Sequence, residues 1–455
     1  MNRETMKSII LVILIAFSLV LTVALWNYQP VNDTIDDNVL IGNTQLDELG
    51  SERTLSELII PEEIVFHDGD AYYTHAESID NKDFYQQQIQ QWNVTNIDTS
   101  PGSINLDNHH HAVEIVFPAE IPIQTIQDLF VLNNEEGLEG IQASFDRIFV
   151  VQQNGGSVSS TFSLWFVDSD SSENRFSLKA DISTSAGENA FRELDDKEEL
   201  KELIRVRDTI ANEEGSNEGF ANIYLPKQTS RIPEYVLQTD SLDVRPLQND
   251  LFPSNTAVTS YTASGGERVT KTFKQQLTQF DKRMEYELTI PNAANQDDLQ
   301  VYDMLNQSMQ DINSHLGWTN DYRLSSVLTG WNQVQYQMYF GDLPVMENSE
   351  TSMLATIMMR YQQGQIQEYK RPLVKFSSIT SERKATLKSG EQVLEDLQEK
   401  NDLDNRTILD LEIMYTLEEQ RNNLVFSLIP EWYIKTNAGW MKVYSEEQSQ
   451  NEEIS

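Results

Sequence analysis

The residues most able to do chemistry are few, and their spacing works against them. His109-His110-His111 is the most metal-like run. A histidine metal site needs side chains converging on one point. On a strand, His109 and His111 share one face, while His110 and Glu114 share the other. The better reading is the polar start of the strand Val113–Phe117. Asp168-Ser-Asp170-Ser-Ser172 looks like the start of a calcium loop. That loop needs Gly at its sixth position and a bidentate Glu at its twelfth. Glu173 and Lys179 stand there, so a hairpin turn is expected. Ser381-Glu-Arg-Lys384 and Lys388-Ser389-Gly390 match the short motifs of penicillin-recognising serine enzymes. Those motifs lie far apart in such enzymes; here they read as a solvated loop and a helix cap. Glu62/Glu63 and Glu418/Glu419 have the residue type for two-carboxylate hydrolysis. Among 72 acidic residues, such pairs arise by chance. The chain has no H-E-x-x-H, no G-x-S-x-G, no P-loop and no dinucleotide fingerprint. No catalytic residue, cofactor site or metal site is therefore expected, and the chain reads as a non-enzyme.

Composition narrows the partners. The 455 residues carry 72 acidic and 33 basic side chains, a net charge of −39. Nucleic-acid binding needs clustered Lys and Arg, so nucleic acid is not an expected partner. Cysteine is absent, which excludes disulfides, thiolate zinc sites and a cysteine nucleophile. Mean hydropathy is −0.47, too low for a multi-span transporter. The 39% hydrophobic content is sufficient for packed cores.

The N-terminus gives the strongest local signal. Arg3 and Lys7 precede the apolar run Ile9–Leu25, and no charge follows until Asp33. With Trp26–Tyr28 the run spans about 30 Å as a helix, one hydrocarbon thickness. Trp26 and Tyr28 occupy the interfacial belt, and the basic flank faces the cytoplasm. The run exceeds the apolar core of a cleaved signal peptide, though Thr22-Val-Ala24 has the small residues of a cleavage site. Ser18 and Thr22 lie four apart on one helix face, a spacing that lets helices approach in lipid. The expected topology is a single-pass cell-membrane protein, with the N-terminus cytoplasmic and the bulk extracytoplasmic.

The expected organisation is a cytoplasmic N-terminus (1–7), a transmembrane helix (8–28), a juxtamembrane linker (29–50) and three α+β domains. These span 51–218, 219–345 and 346–444, and an acidic tail (445–455) follows. Thr54-Leu-Ser-Glu57 predicts a capping box, and Asp68-Gly69 a hairpin. Three strands are expected over Arg147–Gln152, Thr161–Val167 and Arg175–Ile182. Asp195–Ala211 is expected as a charged helix with Glu198/Lys201 and Glu202/Arg205 at i,i+3. Glu213–Glu218 reads as a linker. Asp297–Ser314 carries a helical apolar stripe. Ser389 caps a second helix, and strands follow both helices. Small antiparallel sheets covered by helices are expected.

Several strings carry a resemblance. They are Lys7-Ser-Ile-Ile-Leu-Val-Ile-Leu through Leu25-Trp26-Asn27-Tyr28-Gln29-Pro30, Val113-Glu-Ile-Val-Phe-Pro118, Phe145-Asp-Arg147-Ile148, Leu251-Phe-Pro-Ser254, and Ile429-Pro-Glu-Trp432-Tyr with Trp440. With the length and single-span pattern, the chain resembles the YycH (WalH) family of low-GC Gram-positive bacteria. The resemblance implies an accessory regulator of the YycG (WalK) sensor histidine kinase, which works with the regulator YycF (WalR). It implies action beside a YycI (WalI)-like membrane protein, partly through transmembrane helices, and control of cell-wall hydrolase expression. It also implies three α+β ectodomains and brings no catalytic residues across. The alternative reading of the residues is an extracytoplasmic module for a cell-wall polymer or peptide, with Trp92, Trp318, Trp331, Trp432 or Trp440 stacking on sugars. A two-carboxylate hydrolase is the third reading.

Overall fold

The computed structural model describes residues 36–40, 50–76, 78–102, 111–132, 138, 140–153, 161–169, 176–206, 222–252, 257–289, 299–399, 408–420 and 424–444. The expected span with Ser18, Thr22, Trp26 and Tyr28, the linker Glu213–Glu218, the acidic tail, His109 and His110 lie outside the described residues. No helix among the described residues is long and apolar enough to cross a membrane.

The first domain starts where the sequence places a cap. The Thr54 backbone N–H donates to the Glu57 carboxylate at 2.8 Å, opening the short helix Leu55–Leu58. Strand Glu63–Asp68 then turns at Gly69, which takes φ +63°, into strand Ala71–His75. Gly fits this turn because the left-handed region costs it nothing. A ten-stranded sheet grows from this hairpin, in the order Tyr224–Pro226, Leu200–Arg205, Ala71–His75, Glu63–Asp68, His111–Pro122, Ser144–Gln153, Thr161–Val167, Phe176–Ile182, Asn93–Asp98 and Val131–Leu132. The final pair is parallel and the others antiparallel. Ile64, Phe66, Val113, Ile115, Ile148 and Val150 alternate onto one face and join the main core. Each contributes about 1.5–3 kcal/mol of burial. The other face is also apolar over Phe149, Val151, Trp165 and Val167. This explains why Leu164–Val167 is continuously apolar rather than alternating.

Three expectations change. The strand expected over Val113–Phe117 runs from His111 on to Pro122. The ladder is irregular between Val116 and Ile121, where a proline removes no regular hydrogen bond. The helix expected from Asp195 is a 3-10 turn, Arg192–Glu199, followed by strand Leu200–Arg205. Register against Ala71–His75 buries Leu203, and this tertiary pairing overrides the local helical charge spacing. The Ser381–Lys384 segment lies within strand Val374–Leu387 rather than a loop.

The rest of the chain builds a fifteen-stranded sheet. Its first half pairs Ala257–Thr262, Arg268–Lys271, Gln275–Gln279, Arg283–Leu288, Gln365–Pro372, Thr356–Gln362 and Gln333–Phe340 in succession. Helix Val301–Asn313 covers it through Met304, Leu305, Ser308 and Ile312. A parallel contact between Leu343–Met346 and Asp410–Glu419 joins the second half, which continues through Val425–Thr436, Ser230–Ser241 and Val374–Leu387. Helix Gly390–Glu399 covers that half. Its cap is reciprocal: Ser389 N–H donates to Gln392 Oε1 at 3.0 Å, and Gln392 N–H to Ser389 Oγ at 3.4 Å. Tyr224–Pro226 stitches the two sheets. Leu225 enters the second-half core, and a Cβ on Gly390 would lie 2.4 Å from Leu225 Cβ. The glycine permits that approach.

Candidate functional site

The chemistry-bearing side chains collect where the first domain meets the rest. Glu114 alternates away from Val113 and Ile115 and is fully buried. A buried carboxylate needs a cation and hydrogen bonds. Arg147 Nη1 donates to Glu114 Oε1. Tyr224 Oη donates to Oε2 at 2.6 Å, and His67 Nε2 lies 2.9 Å from the same oxygen. Burial alone would raise the Glu114 carboxyl. Arg147, His67 and Tyr224 outweigh burial and hold it at about 2. Burial and the Glu114 charge push the Tyr224 phenol well above its ordinary value. Glu114 thus pairs with His67, while His110, which the sequence spacing sets on the same strand face, lies outside the described residues. His111 reaches Asp68 at 3.3 Å.

Beside this network, carboxylates meet with no cation in direct ion-pair contact among the described residues; Lys435 and Arg147 oppose the rise at Glu62 less strongly than burial. Glu62 donates its backbone N–H to Val116 O at 2.8 Å. One oxygen each of Glu62, Asp410 and Glu412 lies within 4.8 Å of the others, and all three residues are half-buried. Burial and the neighbouring Glu62 push Glu412 well above the ordinary carboxylate range. Burial likewise raises Glu62. Glu63 is pushed up to about 8, by burial and then by Glu62. Carboxylates so placed relieve repulsion by sharing protons or by binding a hard divalent cation. Of the sequence's acidic pairs, Glu62 joins this trio. Glu419 pairs with Lys282 at 2.7 Å and Glu418 lies 4.0 Å from Lys442.

A second seam alternates charge. Lys82 reaches Asp321 at 2.9 Å and Asp342 at 4.0 Å; Arg323 reaches both aspartates and stacks over Tyr339. Further away, Asp250, Ser314 and His315 have the residue types of a nucleophilic triad. Their geometry is different. Ser314 Oγ and His315 Nδ1 both address Asp250 Oδ2, at 2.8 and 3.2 Å, while His315 Nε2 is spent on Tyr369 Oη at 3.0 Å. Ser314 Oγ also lies 3.4 Å from His315 Nδ1, but that nitrogen is shared with Asp250 and the hydroxyl itself donates to Asp250 and to Asp311 O, so the serine–histidine–aspartate relay order is not formed.

The tryptophans divide. Trp92, Trp318 and Trp432 are buried and serve the core, and Trp440 is half-buried. Trp331 is 67% exposed. It lies two residues beyond Thr329, which lines a cleft of about 1130 Å³ between the first domain and the start of helix Val301–Asn313; Trp331 itself does not line it. Glu120, Asp168, Phe176, Tyr302 and Asp303 line that cleft. Sequence reasoning missed the Glu114 network, although Glu114 and Arg147 both lie in strings that carry the family resemblance.

Comparisons with known proteins agree along most of the chain. The model of the YycH protein N-terminal domain matches residues 4–205, and that of the C-terminal domain matches residues 221–450. The two-component system WalR/WalK regulatory protein YycH of Bacillus subtilis (strain 168) is 20% identical over 466 aligned residues, covering 96% of this chain and 95% of that protein. The crystal structure of YycH from Bacillus subtilis superposes with a TM-score of 0.66 at 17% identity, covering 87% of this chain and 99% of the other. The likeness in coordinates is one of fold, and the family models cover most of the sequence. The chain belongs to the YycH family.

Proposed function

We propose that this chain is a membrane-anchored extracytoplasmic regulator of a sensor histidine kinase that controls cell-wall metabolism. It acts by contact with a kinase of the YycG (WalK) type and a YycI (WalI)-like membrane protein, with the lipid bilayer as the third partner. The carrying observation is the match to both YycH domains across residues 4–205 and 221–450. The apolar run Ile9–Leu25 with its basic flank supports the anchor. A regulator works by binding one kinase state better than another, and about 1–3 kcal/mol of coupling is sufficient. A few packed side chains around Ser18 and Thr22 could supply this in lipid.

The test replaces residues 9–25 with polyleucine and reads kinase output from a transcriptional reporter. Regulation is expected to disappear while export persists; unchanged output contradicts an intramembrane role. Photocrosslinking from Ser18 and Thr22 is expected to capture a sensor kinase or a second single-pass protein. A second reading, a binding module for a cell-wall polymer or peptide, is favoured by the exposed Trp331, two residues beyond the cleft-lining Thr329. A change in Trp331 fluorescence on adding soluble wall fragments would support it.

A further inference from the structure

The strand Val374–Leu387 ends the fifteen-stranded sheet, and among the described residues no strand pairs with its outer edge. On its inner side it follows Ser230–Ser241 along its whole length. Ser377 to Lys384 are exposed on both faces, and Ile379 is 55% exposed. The strand therefore stands clear of the core as part of a ribbon. An open edge of this kind presents a row of backbone donors and acceptors to another chain.

The edge has two parts. Up to Thr380 the register shifts twice. The extra residues are Ser377 and Thr380, whose hydroxyls donate to Gln238 O at 3.1 Å and Val236 O at 2.9 Å. Such bulges twist an edge away from pairing. From Ser381 to Leu387 the register is continuous. This regular part carries Glu382 and Lys384 either side of Arg383, whose guanidinium donates to Glu234 at 2.7 and 3.2 Å. Charges on an edge usually prevent pairing. Here they are arranged symmetrically about one residue with opposite signs.

We propose that this edge joins two copies of the chain, Ser381–Ala385 pairing antiparallel with Ser381–Ala385 of a second copy across a two-fold axis at Arg383. The symmetric register sets Glu382 of each copy opposite Lys384 of the other, on one sheet face. Ser381 falls opposite Ala385. The two Arg383 side chains meet at the axis, each already matched to its own Glu234. Opposite-charge cross-strand pairs are stabilising and like-charge pairs destabilising, so the pattern accepts its own copy and rejects a strand of one sign. A contact repeated by a two-fold axis is the commonest form of self-association. A single strand pair is smaller than a standard stable interface, and net charge −39 on each copy opposes it. The contact is accordingly weak, and covalent trapping is the suitable assay.

The chain has no cysteine, so one introduced thiol reports alone. Residues opposed across an antiparallel pair lie about 4.5–5.5 Å apart at Cα, within disulfide reach. Arg383→Cys in the full chain, mildly oxidised in its membrane at about 0.15 M salt, where the Debye length is about 8 Å, is expected to give a disulfide-linked dimer. Phe273→Cys, at an 84% exposed residue in the turn between strands Arg268–Lys271 and Gln275–Gln279, is expected to remain monomeric. Adding Glu382→Lys or Lys384→Glu is expected to lower linking several-fold, and combining the two swaps to restore it. Linking no better than at Phe273, a double swap that does not restore it, or linkage to a different protein would each overturn the proposal. Matching thermal melts of the variants show that the fold is unchanged.

Discussion

Two groups of carboxylates lie close together in the first domain and its seam, and their surroundings shift them in opposite directions. Glu114 is the more deeply buried, yet it is the one held ionised, at about 2. Glu62, Glu63 and Glu412 are half-buried and all are raised. The difference is cation access. Arg147 contacts Glu114 directly, whereas Glu62 and Glu412 chiefly face each other and Asp410. Burial sets the size of the penalty, and the nearest partner decides whether a charge or a proton meets it.

The largest effect should come from breaking the paired site. Arg147→Met leaves Glu114 buried without its cation and is expected to cost about 3–5 kcal/mol, read from thermal denaturation. Adding Glu114→Leu should recover most of the loss, because an apolar pair replaces a buried ion pair at little cost. The same double change at a surface pair would have almost no effect.

Next is the steric joint between the two regions. Gly390→Ala would press on Leu225 and displace the strand whose Tyr224 bonds Glu114. A loss of about 1–3 kcal/mol is expected. The same change should move Tyr224, which ultraviolet titration of tyrosine would read.

The raised site makes a smaller, pH-dependent prediction. Glu63 binds its proton more tightly folded, at about 8 against 4.5 unfolded. Its contribution is complete below the unfolded value and is lost as pH rises through about 8. Glu114 runs the other way: its contribution is present above 4.5 and is lost as pH falls toward about 2. Glu63→Gln should therefore flatten stability between pH 5 and 8.5, by about 1 kcal/mol after screening at a half-buried site. The smallest change is expected at the alternating-charge seam. Lys82→Met should cost about 0.2–1 kcal/mol, and less in high salt.

Local features of the fold were legible. The Thr54–Glu57 cap, the Asp68-Gly69 hairpin, the helix at Val301–Asn313 and the Ser389–Gln392 cap each depend on a few neighbouring residues. The misread segment at Asp195–Ala211 shows the limit, since i,i+3 charges suit a helix but Leu200–Arg205 is claimed by a strand partner more than a hundred residues earlier. The candidate sites share that limit. His67, Glu114, Arg147 and Tyr224 come from four separate strands, and Glu62 meets Asp410 across most of the chain. Only the alternation that turns Glu114 away from Val113 and Ile115 was visible in the sequence. It marks a carboxylate in an apolar strand without naming its partner.

The most direct test of the comparison is thermal denaturation of the full chain in detergent at pH 5, 7 and 9, beside the Glu62→Gln/Glu412→Gln variant. The wild type is expected to lose stability as pH rises across this range, and the variant to lose distinctly less. Equal slopes for the two proteins, or a wild type that gains stability toward pH 9, would contradict a seam held by shared protons.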